Sequence, residues 1–161
     1  MIPQSTGANE PVSKDRLRLW LKVLKIQSSI EAEIRRRLRD QFNSTLPRFD
    51  VMSALSRYPN GLKMSEISGL LKVSNGNVTG IVDRLTQDGF ALRVAVPGDR
   101  RAHRVRLTPS GQSAFAELAV AHETWLNELL GNLDQTDIRT VTTILDTVDD
   151  QLDHSEVDGD A

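Results

Sequence analysis

A mainly α-helical fold carrying one small β-hairpin is predicted by three observations. Apolar residues recur at steps of three and four over most of the chain, this period switches once, near residue 90, to strict alternation, and Pro97-Gly98-Asp99 interrupts the alternating stretch. The first spacing places one apolar stripe on a helix. The second, bracketing a turn, is the mark of two antiparallel strands.

Residues 1–12 are polar, hold Pro and Gly, and read as a loose arm. From Lys14 the residues Leu17, Trp20, Leu21, Leu24, Ile30, Ile34 and Leu38 predict one long helix ending near Asn43-Ser44-Thr45. A second helix opens at Leu46-Pro47, where proline suits the first turn, and buries Phe49, Met52 and Leu55. Tyr58-Pro59-Asn60-Gly61 then forms a turn. Two short helices follow. The first carries Ile67, Leu70 and Leu71; the second starts after Ser74 as N-cap, buries Val78, Ile81, Val82 and Leu85, and stops at Gly89. In the hairpin, Leu92, Val94 and Val96 share one face of the outgoing strand, and Val105 and Leu107 share one on the return. Ala114, Leu118, Ala121, Trp125 and Leu129 stripe a long helix after Thr108-Pro109. Gly131-Asn132 breaks it, and Asp134 caps a last helix whose residues Ile138, Val141, Leu145, Val148 and Leu152 form a coiled-coil-like seam.

At 161 residues the chain has room for about one domain. It contains no cysteine, which excludes disulfides, thiolate metal sites and thiol redox sensing. His103, His122 and His154 are far apart in sequence, and no metal or cofactor is expected. No basic region followed by an apolar run opens the chain, and no stretch approaches the ~18 apolar residues of a membrane span, so a cytoplasmic location without membrane contact is expected. The net charge of −2 conceals an asymmetry: residues 134–161 hold nine acids and one arginine, a net −8, which leaves +6 on the first 133 residues. Such a split suits a nucleic-acid face at one end and a solvated acidic end at the other.

Two short helices joined by a tight turn are the sequence form of a helix-turn-helix. Once its core positions are removed, the second presents Asn75, Gly76, Asn77, Thr79, Asp83, Arg84 and Gln87. Small residues let a helix end approach the major groove, and an Asn amide can pair with an adenine edge. Ser74 and the first backbone N–H groups suit a phosphate. On these residues alone an ordinary solvated helix face is an equal reading. The hairpin tips the balance, because Arg93, Arg100, Arg101, Arg104, Arg106 and His103 occupy a span whose one acid is Asp99, a charge pattern fitted to the minor groove and its phosphates.

The run Asp99-Arg100-Arg101-Ala102-His103-Arg104-Val105-Arg106-Leu107-Thr108 resembles the wing pattern of the MarR family, D-x-R followed by five residues and L-T. Upstream, residues 73–85, Val-Ser-Asn-Gly-Asn-Val-Thr-Gly-Ile-Val-Asp-Arg-Leu, are similar to that family's recognition helix. The likeness covers about residues 14–153 in the family's element order. It implies a winged helix-turn-helix that dimerises through its N- and C-terminal helices, with an arm at 1–12, a dimerisation helix at 13–45, a DNA-binding domain at 46–108, dimerisation helices at 109–153 and a flexible acidic tail at 154–161. It further implies that Arg101 enters the minor groove with Asp99 orienting its guanidinium, and that Ser74, Asn75, Gly76, Asn77, Thr79, Arg84, Arg100, His103 and Arg104 join it in contacting DNA. One departure is Lys63, where many members carry a capping threonine.

The same resemblance implies a homodimer on duplex DNA with a pseudo-palindromic operator, acting as a repressor, and a small-molecule effector, an anionic aromatic acid or its coenzyme A thioester. Trp20, Leu24, Phe49 and Met52 are candidates to line its cavity, though such residues are more often plain core. Arg35 and Arg36, in the run Arg35-Arg36-Arg37, are candidates to hold its charge, with a solvated helix face as the alternative. No nucleophile elbow, phosphate-cradling glycine loop or metal motif points to an enzyme. A winged helix used for protein contact is the other reading, which the run of arginines disfavours.

Overall fold

The computed structural model describes residues 10–71 and 74–157, and for Glu10, Pro11, Asn75, Glu156 and Val157 the backbone alone. The chain divides between His122 and Glu123 into two compact units.

Unit 1 opens with α1 (Glu10–Phe42), 33 residues long and four residues earlier in its start than the apolar pattern indicates. Pro11 lies in its first turn, where a missing N–H breaks no helical bond. At its other end Asn43 takes the left-handed conformation, φ 49°, which asparagine tolerates. Helix α2 (Leu46–Ser56) is capped by Thr45, whose Oγ1 accepts the Arg48 N–H at 3.3 Å. Its residues Phe49, Val51, Met52, Ala54 and Leu55 are buried and, with Leu38, Ile67, Val78, Val82, Leu85, Val105 and Leu107, make up the core.

A strand that the alternation does not reveal, β1 (Leu62–Lys63), precedes α3 (Met64–Leu71). Two residues are too few for any period to register. The Lys63 N–H donates to the Glu66 carboxylate at 3.4 Å. This is one half of a capping box, the half that needs no hydroxyl at position 63. Helix α4 (Asn75–Gln87) is capped by Ser74, whose Oγ accepts the Asn77 N–H. It ends in a Schellman motif: Gly89 has φ 77°, its N–H donates to the Thr86 carbonyl, and the Phe90 N–H donates to the Leu85 carbonyl. Of the four apolar positions expected in its core, Val78, Val82 and Leu85 are fully buried and Ile81 is half-exposed.

The sheet has the order β1–β3–β2, with β2 at Ala91–Val96 and β3 at Asp99–Leu107, all antiparallel. Its register relates the two apolar rows of the hairpin to each other. Ala91 lies opposite Leu107 and Arg93 opposite Val105, so the core side of β2 carries Ala91 and Arg93. Leu92 and Val94 lie opposite Arg106 and Arg104, on the outer side. The two apolar rows read from the sequence thus occupy opposite faces. Which faces the rows take is set by the register, because successive side chains alternate between faces and a one-residue offset would exchange them.

Helix α5 (Pro109–Leu129) starts after Thr108 and its last turns enter unit 2, where α6 (Gln135–Val157) follows. Asp134 and Asp137 cap α6 reciprocally, at 2.8 and 3.1 Å. The helix runs through Val157, so the tail expected from residue 154 is helical over its first residues; 158–161 lie outside the described residues. Ile138, Val141, Ile144, Leu145, Val148 and Leu152 are all exposed on α6, as are Leu17, Trp20, Leu21 and Ile26 on α1. Apolar stripes this long are unusual on a monomer.

Candidate nucleic-acid interface

The first two turns of α4 carry small residues without any packing demand for them. Gly76 and Gly80 are exposed, and a Cβ at either would meet nothing within 4 Å. Gly76, Asn77, Thr79, Gly80, Asp83, Arg84 and Gln87 are exposed or half-exposed, giving a narrow polar surface along the helix. Ser74 is exposed too, with its hydroxyl engaged as the cap. Asn75 starts the helix, with its side chain outside the described residues; Lys72 and Val73 also lie outside them.

The arginines of the wing divide into two kinds. Arg93, on the core side of β2, reaches α4 and donates to the Asp83 carboxylate at 2.6 Å. It ties the wing to α4. Arg100, Arg101, Arg104 and Arg106, like Arg84 of α4, have no carboxylate partner among the described residues. Arg100 and Arg101 lie near the turn at Gly98, φ 86°. His103, opposite Ala95, is exposed. Arg104 lies opposite Val94 on one side and Lys63 on the other. Lys63 thereby joins the basic outer face of the sheet, a membership that depends on strand β1 and that no sequence spacing discloses. Like charges in direct cross-strand register cost stability, which argues for an outside use of the charge.

Asp99 Oδ1 accepts the backbone N–H of Arg101 at 3.0 Å, so the carboxylate fixes the main chain of the wing tip. Two residues apart, this is the geometry in which an Asp side chain closes a turn.

The structure does not assemble the predicted effector set. Phe49 and Met52 are core residues, and the Phe49 ring lies 5.6 Å from Phe115 and 4.8 Å from His122. Trp20 is 57% exposed, and Leu24 is half-exposed on α1. Arg35 pairs with Glu31 at 2.6 Å, and Arg36 with Glu33 and Asp40. Hydrogen bonds from Arg36 and Arg37 hold the Glu33 carboxyl down at about 2. These ion pairs make the arginine run largely a self-neutralised helix face. Arg35 also lines a cavity of about 520 Å³, together with Pro47, Asp50, Val51, Leu71 and the α4 residues Asn77 and Ile81. Burial pushes the Asp50 carboxyl upward, the nearby Arg35 guanidinium opposing it. A carboxyl raised by folding contributes stability below its unfolded value that is lost as pH rises through the folded value. Asp50→Asn is therefore expected to raise the stability at pH 7, by no more than about 1 kcal/mol given the water that still reaches it, and to change nothing at about pH 3. Melting curves at the two pH values check this.

Residues 44–103 match the model of the MarR family. Over 87% of its length the chain is similar, with 32% identity and a TM-score of 0.72, to the crystal structure of a MarR family transcriptional regulator from Silicibacter pomeroyi, covering 96% of that chain. The chain belongs to the MarR family. Among curated relatives of this MarR-family chain is the transcriptional activatory protein BadR of Rhodopseudomonas palustris, 32% identical over 58% of the chain and 55% of BadR. The chain thus spans just over half the length of that relative. The crystal structure of a mutant MarR from Escherichia coli complexed with operator DNA shares the fold, with a TM-score of 0.67 and 23% identity over 87% of this chain and 96% of that one. The winged helix-turn-helix of this MarR-family chain is α3, α4 and the β2–β3 wing, with β1 as its third strand.

Proposed function

We propose that this MarR-family chain is a DNA-binding transcription regulator that engages a pseudo-palindromic operator as a homodimer and leaves it when a small-molecule effector binds. One observation carries the reading: an exposed, small, polar helix face stands beside a basic wing whose tip arginines lack carboxylate partners among the described residues. Unneutralised guanidinium groups clustered this way repel one another, and phosphate is the partner that relieves them. The operator complex of the E. coli MarR mutant supports the reading by fold. Selection of bound sequences from random duplex DNA tests it, followed by affinity at rising salt. A steep fall in affinity is expected, and a flat response would favour the protein-contact role instead.

The exposed stripes on α1 and α6 support a second copy as their cover. Leu145→Lys with Val148→Lys is expected to leave the chain monomeric at micromolar concentration and to cost at least about 3 kcal/mol of dimer stability, from the apolar area left uncovered. Sedimentation against concentration measures it.

The 520 Å³ cavity is the effector site we assign, because a ligand there touches Asn77 and Ile81 of α4 directly. An anionic aromatic acid would set its ring against Pro47, Val51 and Leu71 and its charge near Arg35. Arg35→Gln is expected to raise the concentration of such acids required for release by roughly tenfold or more, the size of one charge-assisted hydrogen bond, with DNA affinity unchanged. Release titrations with benzoates and their thioesters check this. Repression is the output the resemblance implies, and a reporter behind the selected operator distinguishes it from the activation that the name of BadR records for that relative.

A further inference from the structure

The corner where α1 turns into α2 faces α4 across a second cavity, of about 300 Å³, whose lining includes Ser44, Thr45 and Arg48 from the corner and Gly76, Asn77 and Arg84 from α4. No acidic side chain among the described residues lines it. Arg48 is already spoken for: it donates to Asp88 at 2.6 Å and lies over the Phe90 ring at 5.6 Å. Arg84 has no carboxylate partner among the described residues, so its positive charge in the cavity is uncompensated by them. Ser44 is 8% exposed, and its Oγ is a buried hydroxyl without a hydrogen-bond partner among the described residues. A buried polar group left unpaired costs free energy, and a partner in the adjoining cavity would relieve that cost once the hydroxyl turned toward it.

We infer that this corner seats one backbone phosphate of the duplex, at the edge of the groove that α4 enters. The inference rests on the DNA-binding reading. A phosphodiester carries one negative charge and offers oxygens that only accept. Among the described residues the cavity offers the Arg84 cation, the Ser44 hydroxyl after a turn about χ1, and the Gly76 N–H, one of the first-turn donors of a 13-residue helix. A free carboxylate or phosphate shares this chemistry. The duplex is favoured because Gly76 and Arg84 belong to the groove-facing helix itself, so an anion seated between them and Ser44 borders the groove. The seat would fix the depth and tilt of α4 without reading sequence, the part that phosphate contacts play.

Ser44→Ala gives the test, because its two effects run in opposite directions. Deleting an unpartnered hydroxyl leaves the melting temperature of the free protein unchanged or raises it, whereas duplex affinity falls roughly tenfold, the size of one hydrogen bond to a charged group. Methylphosphonate scanning of the selected operator, read by fluorescence anisotropy, locates the phosphate. One position per half-site is expected to weaken wild-type binding about tenfold when neutralised. The same replacement should lose its effect in Ser44→Ala and in Arg84→Gln. Duplex binding in which every neutralisation adds independently to both variants overturns the seat while leaving the DNA-binding reading intact. Inorganic phosphate that competes through Arg84, with no such coupling, assigns the cavity to a free anion and overturns it equally. Absence of duplex binding by the wild-type chain removes both.

Discussion

Replacing Arg100 and Arg101 together by glutamine is expected to weaken operator binding at least about a hundredfold near 0.15 M salt, since each lost charge-assisted contact is worth roughly 1.5–3 kcal/mol. The slope of log affinity against log salt should become shallower by about 0.9 for each phosphate contact removed. Stability should not change, because both side chains are exposed and neither has a carboxylate partner among the described residues. Arg93→Gln supplies the contrast. It severs the 2.6 Å pair with Asp83, but that pair is half-exposed at both ends, so it should cost under about 1 kcal/mol of folding and far less affinity than the tip variant. Anisotropy titrations across a salt series, with melting curves, separate the two kinds of arginine. Equal losses from both variants would show that the wing acts as an undifferentiated patch of charge.

Gly111→Ala is expected to be the most damaging small change to folding, about 3 kcal/mol and a fall in melting temperature on the order of 8 °C. A Cβ built there would lie 1.9 Å from the Phe90 carbonyl oxygen and 2.8 Å from its carbon. Neither group can yield cheaply. The Phe90 oxygen accepts the Thr108 N–H at 3.0 Å, the Thr108 hydroxyl donates to the Gly89 carbonyl at 2.6 Å, and that hydroxyl accepts the Gly111 N–H at 3.0 Å. The end of α4, the start of the wing and the start of α5 are joined through this knot, so relief at one point strains all three. Gly69→Ala is the control: its Cβ would meet nothing within 4 Å, and in a helix it should stabilise by about 0.5–1 kcal/mol.

The helices can be read from sequence because their apolar stripes are long and their caps are local. Ser74 and Asp134 are identified by residue type and position alone, and both accept the expected N–H groups. The wing charge is legible for a similar reason, as the arginines crowd into a few residues. What escapes reading depends on pairing between distant segments. Lys63 becomes part of the basic face only through its register with Arg104, 41 positions later in the chain. Arg93 looks like its neighbours until cross-strand register turns it toward Asp83. Phe49 and Met52 have the composition of a ligand cavity and the burial of a core, two environments that demand the same side chains.

The ladder between β2 and β3 slips at Ala95 and Val96: Ala95 faces His103, while Val96 faces Asp99. Arg100, Arg101 and Ala102 therefore form a bulge of chain with no counterpart in register on the opposite strand. Below the slip β3 is paired on both sides, by β1 and β2; across it the ladder imposes no register on those three residues. If the tip binds DNA as proposed, the aim of Arg100 and Arg101 is set by this local irregularity and not by the strand ladder that orients Arg104 and Arg106.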